Sequence, residues 1–336
     1  MAPFVRSASL SGYAPVARRV GLDPAEMIRR EGLNAAFLSN PDLRIPVAAV
    51  VRLLEASARQ SRCETFGLQM AESWRMSDFG AISLLLAHEG TLREALAAMI
   101  RYMHLLNDSI AISIEDAGRF VIVREELLDP EAARSRQGIE LAVGVIFRMF
   151  RAHLGPQWKP VSVRFTHTAP ADLSVHRRIF GTRVEFGQEF SGIVCAAADL
   201  DRPNPAADPA MASYARGFMD SLAKRPGTPI AQEVRRAIQV LLPGGRATIG
   251  QIAQGLGVTP RTLQRQLEAT GDSFSGLLDA VRADLVTRHL ENSAYSLTQV
   301  AELLGYTFPS SFTRWFTGRF GMSPARWRAR HAKARR

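Results

Sequence analysis

Apolar residues recur at helical spacing through the first hundred positions, in "SGYAPVARRVGLDPAEMIRREGL" and "IPVAAVVRLLEASARQ", with Asp23-Pro24 and Pro46 as helix-start signals. "FGAISLLLAHEG" and "TLREALAAMIRYMHLLND" continue the pattern, and Thr91 with Glu94 predicts a capping box. After Asp108 the period changes to two: "IAISIED" and "GRFVIVREE" flank a turn at Asp116 to Gly118 and predict a β-hairpin. A long helix, roughly Glu131 to Ala152, follows. "PVSVRFTH" and "SGIVCAAADL" then read as strands, separated by the short helix "ADLSVHRRIFG" and a strand candidate at "TRVEFG". The expected fold of residues 1–200 is α+β, with helices followed by a small antiparallel sheet.

"LDRPNPAADP" packs three prolines into ten residues, which suits neither a helix interior nor a central strand. Together with a connecting helix over about 210–223 and the breaker "KRPGTP", it predicts a linker over 201–228. From residue 229 onward strand signals vanish and all periodicity is helical, so an all-α domain is expected over 229–336. This segment repeats itself. "TIGQIAQGLGVTPRTLQRQL" lies on "SLTQVAELLGYTFPSSFTRWF", with Ile249 on Leu297, Ala253 on Ala301, Leu256 on Leu304 and Gly257 on Gly305. One residue is inserted after the turn, and Leu263 then meets Phe312 and Arg265 meets Arg314.

Each copy reads as a short helix, a glycine turn and a second helix, the sequence form of a helix-turn-helix. The alanines permit close backbone approach, and Gly257 and Gly305 suit left-handed C-caps. Thr259-Pro260 and Thr307 to Pro309 supply an N-cap hydroxyl and an N1 proline. Leu263 and Leu267, or Phe312 and Phe316 with Phe308 before them, are expected to hold the second helices to the core. The outward positions are then Arg261, Thr262, Gln264 and Arg265 in the first copy, and Ser310, Ser311, Thr313 and Arg314 in the second. Arginine pairs bidentately with guanine and glutamine with adenine, while small hydroxyls permit close approach to bases or phosphates.

Charge agrees with this placement. From Thr228 to the end, 15 Lys and Arg stand against 7 Asp and Glu, whereas the other 227 residues hold 27 against 25. A polyanion is drawn to the C-terminal third. No apolar run approaches the roughly 20 residues that cross a bilayer, and the N-terminus lacks a secretory core, so a cytoplasmic, nucleoid-associated location is expected. Cys63 and Cys195 show no metal or disulfide spacing, and no H-E-x-x-H, G-x-S-x-G or Walker pattern is present. No enzyme chemistry, metal or cofactor is expected.

The segments "IAQGLGVTPRTLQRQL", "SFSGLLDAVRADLVTRHL" and "SLTQVAELLGYTFPSSFTRWFTGRFGMSPARWRAR" resemble the AraC/XylS family of transcription regulators. The resemblance implies two helix-turn-helix units, about 248–269 and 296–319, joined by a helix over about 273–291 and capped by the segment of Phe320, Gly321, Pro324 and Arg328. It departs at Ala283 and Val286, where a bulkier aliphatic and an alanine are usual. It also implies that the two recognition helices enter successive major-groove segments, about 34 Å apart. The tail "RWRARHAKARR" reads as a non-specific phosphate contact or, more simply, a frayed basic end.

The stretches "FGAISLLLAHEGTLREALAAMIRYMHLLNDS" and "PVSVRFTHTAPADLSVHRRIFGTRVEFGQEFSGIVCAAADLDRPNPAADP" are similar to the arabinose-operon-type sensor domain of the ornithine-utilisation branch. This implies a small-molecule effector, without establishing that it is a sugar, together with a homodimer and, for an activator, contact with RNA polymerase. The polar candidates embedded among apolar residues are Tyr102, His104, Asn107, Asp108, Arg148 and His167; Tyr102, His104, Asn107 and Arg148 form the expected effector set. The stripe of Leu84, Leu85, Leu86, Leu96, Met99 and Met103 reads as core, a pocket wall or a dimer face. The order of helices and strands has a topological analogy with haem-nitric-oxide domains, but Tyr-x-Ser-x-Arg is absent and no haem is expected. Two other readings remain open: a DNA-alkylation repair protein, which needs an activated cysteine that "SRCETF" and "GIVCAAA" do not offer, and a non-specific architectural DNA protein.

Overall fold

The computed structural model describes residues 3–129, 131–223, 230–242, 245, 247–256, 258–291 and 295–333. The second proline break at 224–229, the first turn glycine Gly257 and the last three residues of the basic tail lie outside them. The chain forms two compact units, Met1–Lys224 and Arg225–Arg336.

The first unit opens with β1 (Phe4–Arg6), α1 (Tyr13–Arg19), α2 (Pro24–Arg30) and β2 (Arg44–Pro46). The helices α3 (Val47–Ser61), α4 (Phe66–Glu72), α5 (Ile82–His88) and α6 (Leu92–Leu106) follow. Asp23 caps α2 through its side chain, as the Asp-Pro pair predicts. Thr91 caps α6 by accepting from the Glu94 amide, and only this half of the expected box forms. Next come the hairpin strands β3 (Ile110–Ala117) and β4 (Phe120–Leu127), then α7 (Arg136–Leu154). The hairpin turns at Gly118 and Arg119, two residues beyond the start of the expected turn, and Gly118 supplies the positive φ of 67°. Likewise α7 begins five residues late, because Ser135 caps it by accepting from the Gly138 amide.

The unit closes with β5 (Ser162–Arg164), α8 (Ser174–Phe180), β6 (Val184–Glu185), β7 (Ser191–Ala196), α9 (Ala197–Leu200) and α10 (Pro209–Ala223). Five strands form one sheet in the order β3-β4-β7-β5-β6, antiparallel except for the β5–β6 pair. A separate two-stranded ribbon, β1–β2, was not anticipated by any run of alternation. On the buried face of β4 lie Val121, Val123, Glu125 and Leu127. The long helix α7 packs against α4 at Gly144, where a Cβ would lie 2.6 Å from the Ala71 methyl. The helix α10, expected in the connection, buries Ala212, Ala215 and Met219 on this unit and pairs Arg216 with Glu89 and Asp220 with Arg101.

The second unit is all helical among its described residues: α11 (Ile230–Leu241), α12 (Ile249–Gly255), α13 (Pro260–Glu268), α14 (Phe274–Glu291), α15 (Leu297–Leu303), α16 (Pro309–Phe320) and α17 (Pro324–Lys333). Its core joins Ile252, Ala253, Leu263 and Leu267 to Val300, Ala301, Phe312 and Phe316 around α14. Val286, one of the two departures on α14, is fully buried there. Among the described residues no helix is long and apolar enough to cross a membrane.

Candidate nucleic-acid interface and ligand cavity

The helix pairs α12–α13 and α15–α16 are built by the same local bonds. Thr248 caps α12 by accepting from the Gln251 amide, and Ser296 forms a full capping box with Gln299 at the start of α15. At the other end the Tyr306 amide donates to Ala301 O at 2.9 Å and the Gly305 amide to Glu302 O at 2.9 Å, the paired bonds of a Schellman closure. Gly305 carries the left-handed φ of 71°. In the first copy the Val258 amide donates to Ala253 O at 2.9 Å, the equivalent bond 48 residues earlier. Thr259 then caps α13 through its hydroxyl, with Pro260 at the first helical position.

The second copy starts differently. Phe308 is the N-cap of α16 without a side-chain hydrogen bond, so the expected threonine cap is absent. Phe308 is also 65% exposed rather than anchored, because the buried stripe begins at Phe312 and continues at i+4 with Phe316. The joining helix is bonded to this copy: Arg282 donates to Leu304 O at 3.0 Å and lies over the Tyr306 ring, and the Trp315 indole donates to Asp279.

Arg261, Gln264 and Arg265 are exposed on α13, and Ser310, Ser311, Thr313 and Arg314 on α16. Thr262 is half-buried, and its hydroxyl bonds to Thr259 Oγ1 at 2.9 Å. Thr313 donates to Pro309 O at 3.0 Å and turns its remaining surface outward. The guanidinium groups of Arg261, Arg265 and Arg314 make no ion pair or hydrogen bond among the described residues, so each is available for a phosphate or a guanine edge.

In the first unit a cavity of about 150 Å³ lies between α3, α6, α7 and the β3–β4 hairpin. Val51, Leu54, Met99, Met103, Leu141 and Ile146 make much of its wall. Glu125 also faces it, 7% exposed, with Oε2 buried and lacking any partner among the described residues. Burial pushes this carboxyl well above the ordinary carboxylate range. Ser9 Oγ is a second buried wall atom without a partner.

Of the four expected effector residues, only Asn107 lines the cavity, and its Oδ1 already accepts from the amide and hydroxyl of Ser109. The Tyr102 hydroxyl donates to Asp220 at 2.6 Å, tying α6 to α10. Arg148 donates to Trp74 O, and His104 lies outside the lining. Asp108 pairs with Arg44, while His167 sits beside buried Glu140 with Phe165 and Phe186 against its ring. In the leucine-methionine stripe, Met99 and Met103 reach the cavity, Leu85, Leu86 and Leu96 are core, and Leu84 is exposed. Glu125 was missed although "FVIVREEL" carries its signal: alternation assigns position 125 to the apolar face.

Residues 21–204 match the family model described as the arabinose-binding domain of AraC transcription regulators, N-terminal, and residues 252–330 match a helix-turn-helix domain. The HTH-type transcriptional regulator VirS of Mycobacterium tuberculosis is 29% identical over 328 residues, which cover 97% of this chain and 96% of VirS. The ornithine utilization regulator of Pseudomonas aeruginosa is 26% identical, with 78% of each chain covered. The crystal structure of the transcriptional regulator CdpR from Pseudomonas aeruginosa is 24% identical over 90% of this chain and 96% of CdpR, with a TM-score of 0.45. Since the first family model spans more than half of the sequence and the helix-turn-helix pair follows it, the chain belongs to the AraC family of transcription regulators, whose members bind DNA and a small-molecule effector.

Proposed function

We propose that the second unit reads a promoter site through α13 and α16, while the first unit binds the effector in the cavity beside Glu125 and governs that reading. The duplicated helix-turn-helix carries the proposal: Arg261, Gln264 and Arg265, exposed and with no side-chain bond among the described residues, suit base edges and stand on a helix whose opposite face is fixed in the core. Arg314 with Ser310, Ser311 and Thr313 contacts the next groove segment, and Thr262 serves mainly to start α13. Exposed Met211, Tyr214 and Phe218 on one side of α10 support a homodimer in which a second copy covers them. The protein acts in the cytoplasm and is not an enzyme. Cys195 supports the latter: burial pushes its thiol up to about 12, away from the thiolate that alkyl transfer needs.

Footprinting and competition binding test the base-reading assignment. Replacing Arg265→Ala should cost on the order of 1–3 kcal/mol on the preferred site and relax preference at one position. Unchanged affinity and unchanged sequence preference would remove Arg265 from base reading.

A further inference from the structure

Strand β4 alternates strictly, and its buried face reads Val121, Val123, Glu125, Leu127. One of four side chains directed at the core is therefore an acid. It faces the cavity with Oε2 unpartnered, and no cation pairs with it among the described residues. The other charged side chains among the described lining residues are Arg6 and Asp78. Arg6 is held by Asp42 through Nε and Nη2 and by Asp78 O through Nη1. Asp78 accepts from the Arg75 amide and from Ser11. Neither is left to neutralise Glu125 or to receive an anionic ligand.

We propose that the cavity takes a compact primary amine with an apolar body, whose ammonium group pairs with the carboxylate of Glu125. This rests on the reading of the cavity as the effector site. A site of about 150 Å³ with aliphatic walls accommodates a body of roughly benzene size, which sets the scale of the ligand. A carboxylic acid ligand would bring a second negative charge beside Glu125 with no free cation to offset it. A neutral alcohol gains one ordinary hydrogen bond, whereas an ammonium gains a charge-assisted one in a dry site. In the empty cavity burial opposes the charge of Glu125 and favours its neutral form. The amine arrives from neutral solution as an ammonium ion, which favours the charged carboxylate, so forming the ion pair is coupled to release of the Glu125 proton to solvent.

Titration calorimetry on the full chain, with benzylamine, benzyl alcohol and benzoate in buffers of different ionisation enthalpy, tests this. Benzylamine should bind more tightly than the other two, release protons on binding, and bind more tightly as the pH rises above the ordinary carboxyl range. Glu125→Gln should weaken it by about tenfold or more and leave benzyl alcohol unaffected. If the Gln variant fails to fold, Glu125→Met must show the same loss of amine preference. Equal or better binding of the alcohol or the acid, no proton release, or undiminished amine binding in the variants overturns the amine assignment. Ala142→Leu, which narrows the cavity, separates the two levels: if it abolishes whichever benzyl compound binds, the effector-site reading stands whatever the head group. If it changes nothing, or if none of the three binds the native chain, that reading and the amine assignment both fall.

Discussion

At position 125 a carboxyl group stands where an aliphatic side chain would pack, and its energetic cost is borne by the first unit when the cavity is empty. Burying a polar atom without a partner costs about 1–3 kcal/mol, so Glu125→Leu should stabilise the first unit by about that amount, read from its unfolding transition in urea. The pH dependence has a definite sign. The folded acid titrates above its ordinary value of 4.5, so between that value and its raised one the native state holds a proton that the unfolded chain has lost. The stability contributed by the neutral acid is full below the unfolded value and declines as pH rises toward the folded one. Native protein should therefore lose stability relative to Glu125→Gln as pH is raised above the ordinary carboxyl range; parallel curves would show that the acid is not buried and neutral. The expected effector residues illustrate the complementary error. Tyr102 and Arg148 are polar groups among apolar neighbours, but Asp220 and Trp74 O satisfy them, and sequence does not reveal partners 118 and 74 residues away.

At the scale of elements, the helix-turn-helix pair was legible because its determinants are local: alanine at the helix contact, glycine at the turn, proline at the restart, and in the first copy the Thr259 cap. Gly305 is required twice over. Its φ of 71° disfavours any side chain, and a Cβ there would come 2.8 Å from Leu242 O at the end of α11. Gly305→Ala should cost the second unit about 1–3 kcal/mol, while Ser311→Ala stays within about 0.5 kcal/mol; equal melting of the two variants would refute the close approach. Phe308 shows where local reading fails. Aromatic character suggested an anchor, but its position ahead of Pro309 puts it at the N-cap, off the stripe of Phe312 and Phe316. The ribbon β1–β2 escaped notice because two three-residue strands, separated by almost forty residues, carry too little alternation to register.

For the whole molecule, the excess of basic residues lies in the unit that carries the reading helices, and the exposed aromatic pair Tyr214 and Phe218 lies on α10 of the other. If a second copy covers Tyr214 and Phe218, introducing Tyr214→Glu with Phe218→Glu should shift sedimentation toward the monomer and weaken binding to a doubled site more than to a single one. A dimer that persists unchanged places its interface elsewhere. The separation of frame from reading surface also bears on how such a regulator diverges. Inside the second unit the alanines, Gly305 and the buried leucines and phenylalanines are confined by backbone contact, while the side chains of Arg261, Gln264, Arg265, Ser310, Ser311 and Arg314 are exposed and, among the described residues, tied to nothing within the fold. Mutations at those six positions meet little penalty in stability. After a gene duplication, two descendants can therefore acquire different operators while inheriting one scaffold intact.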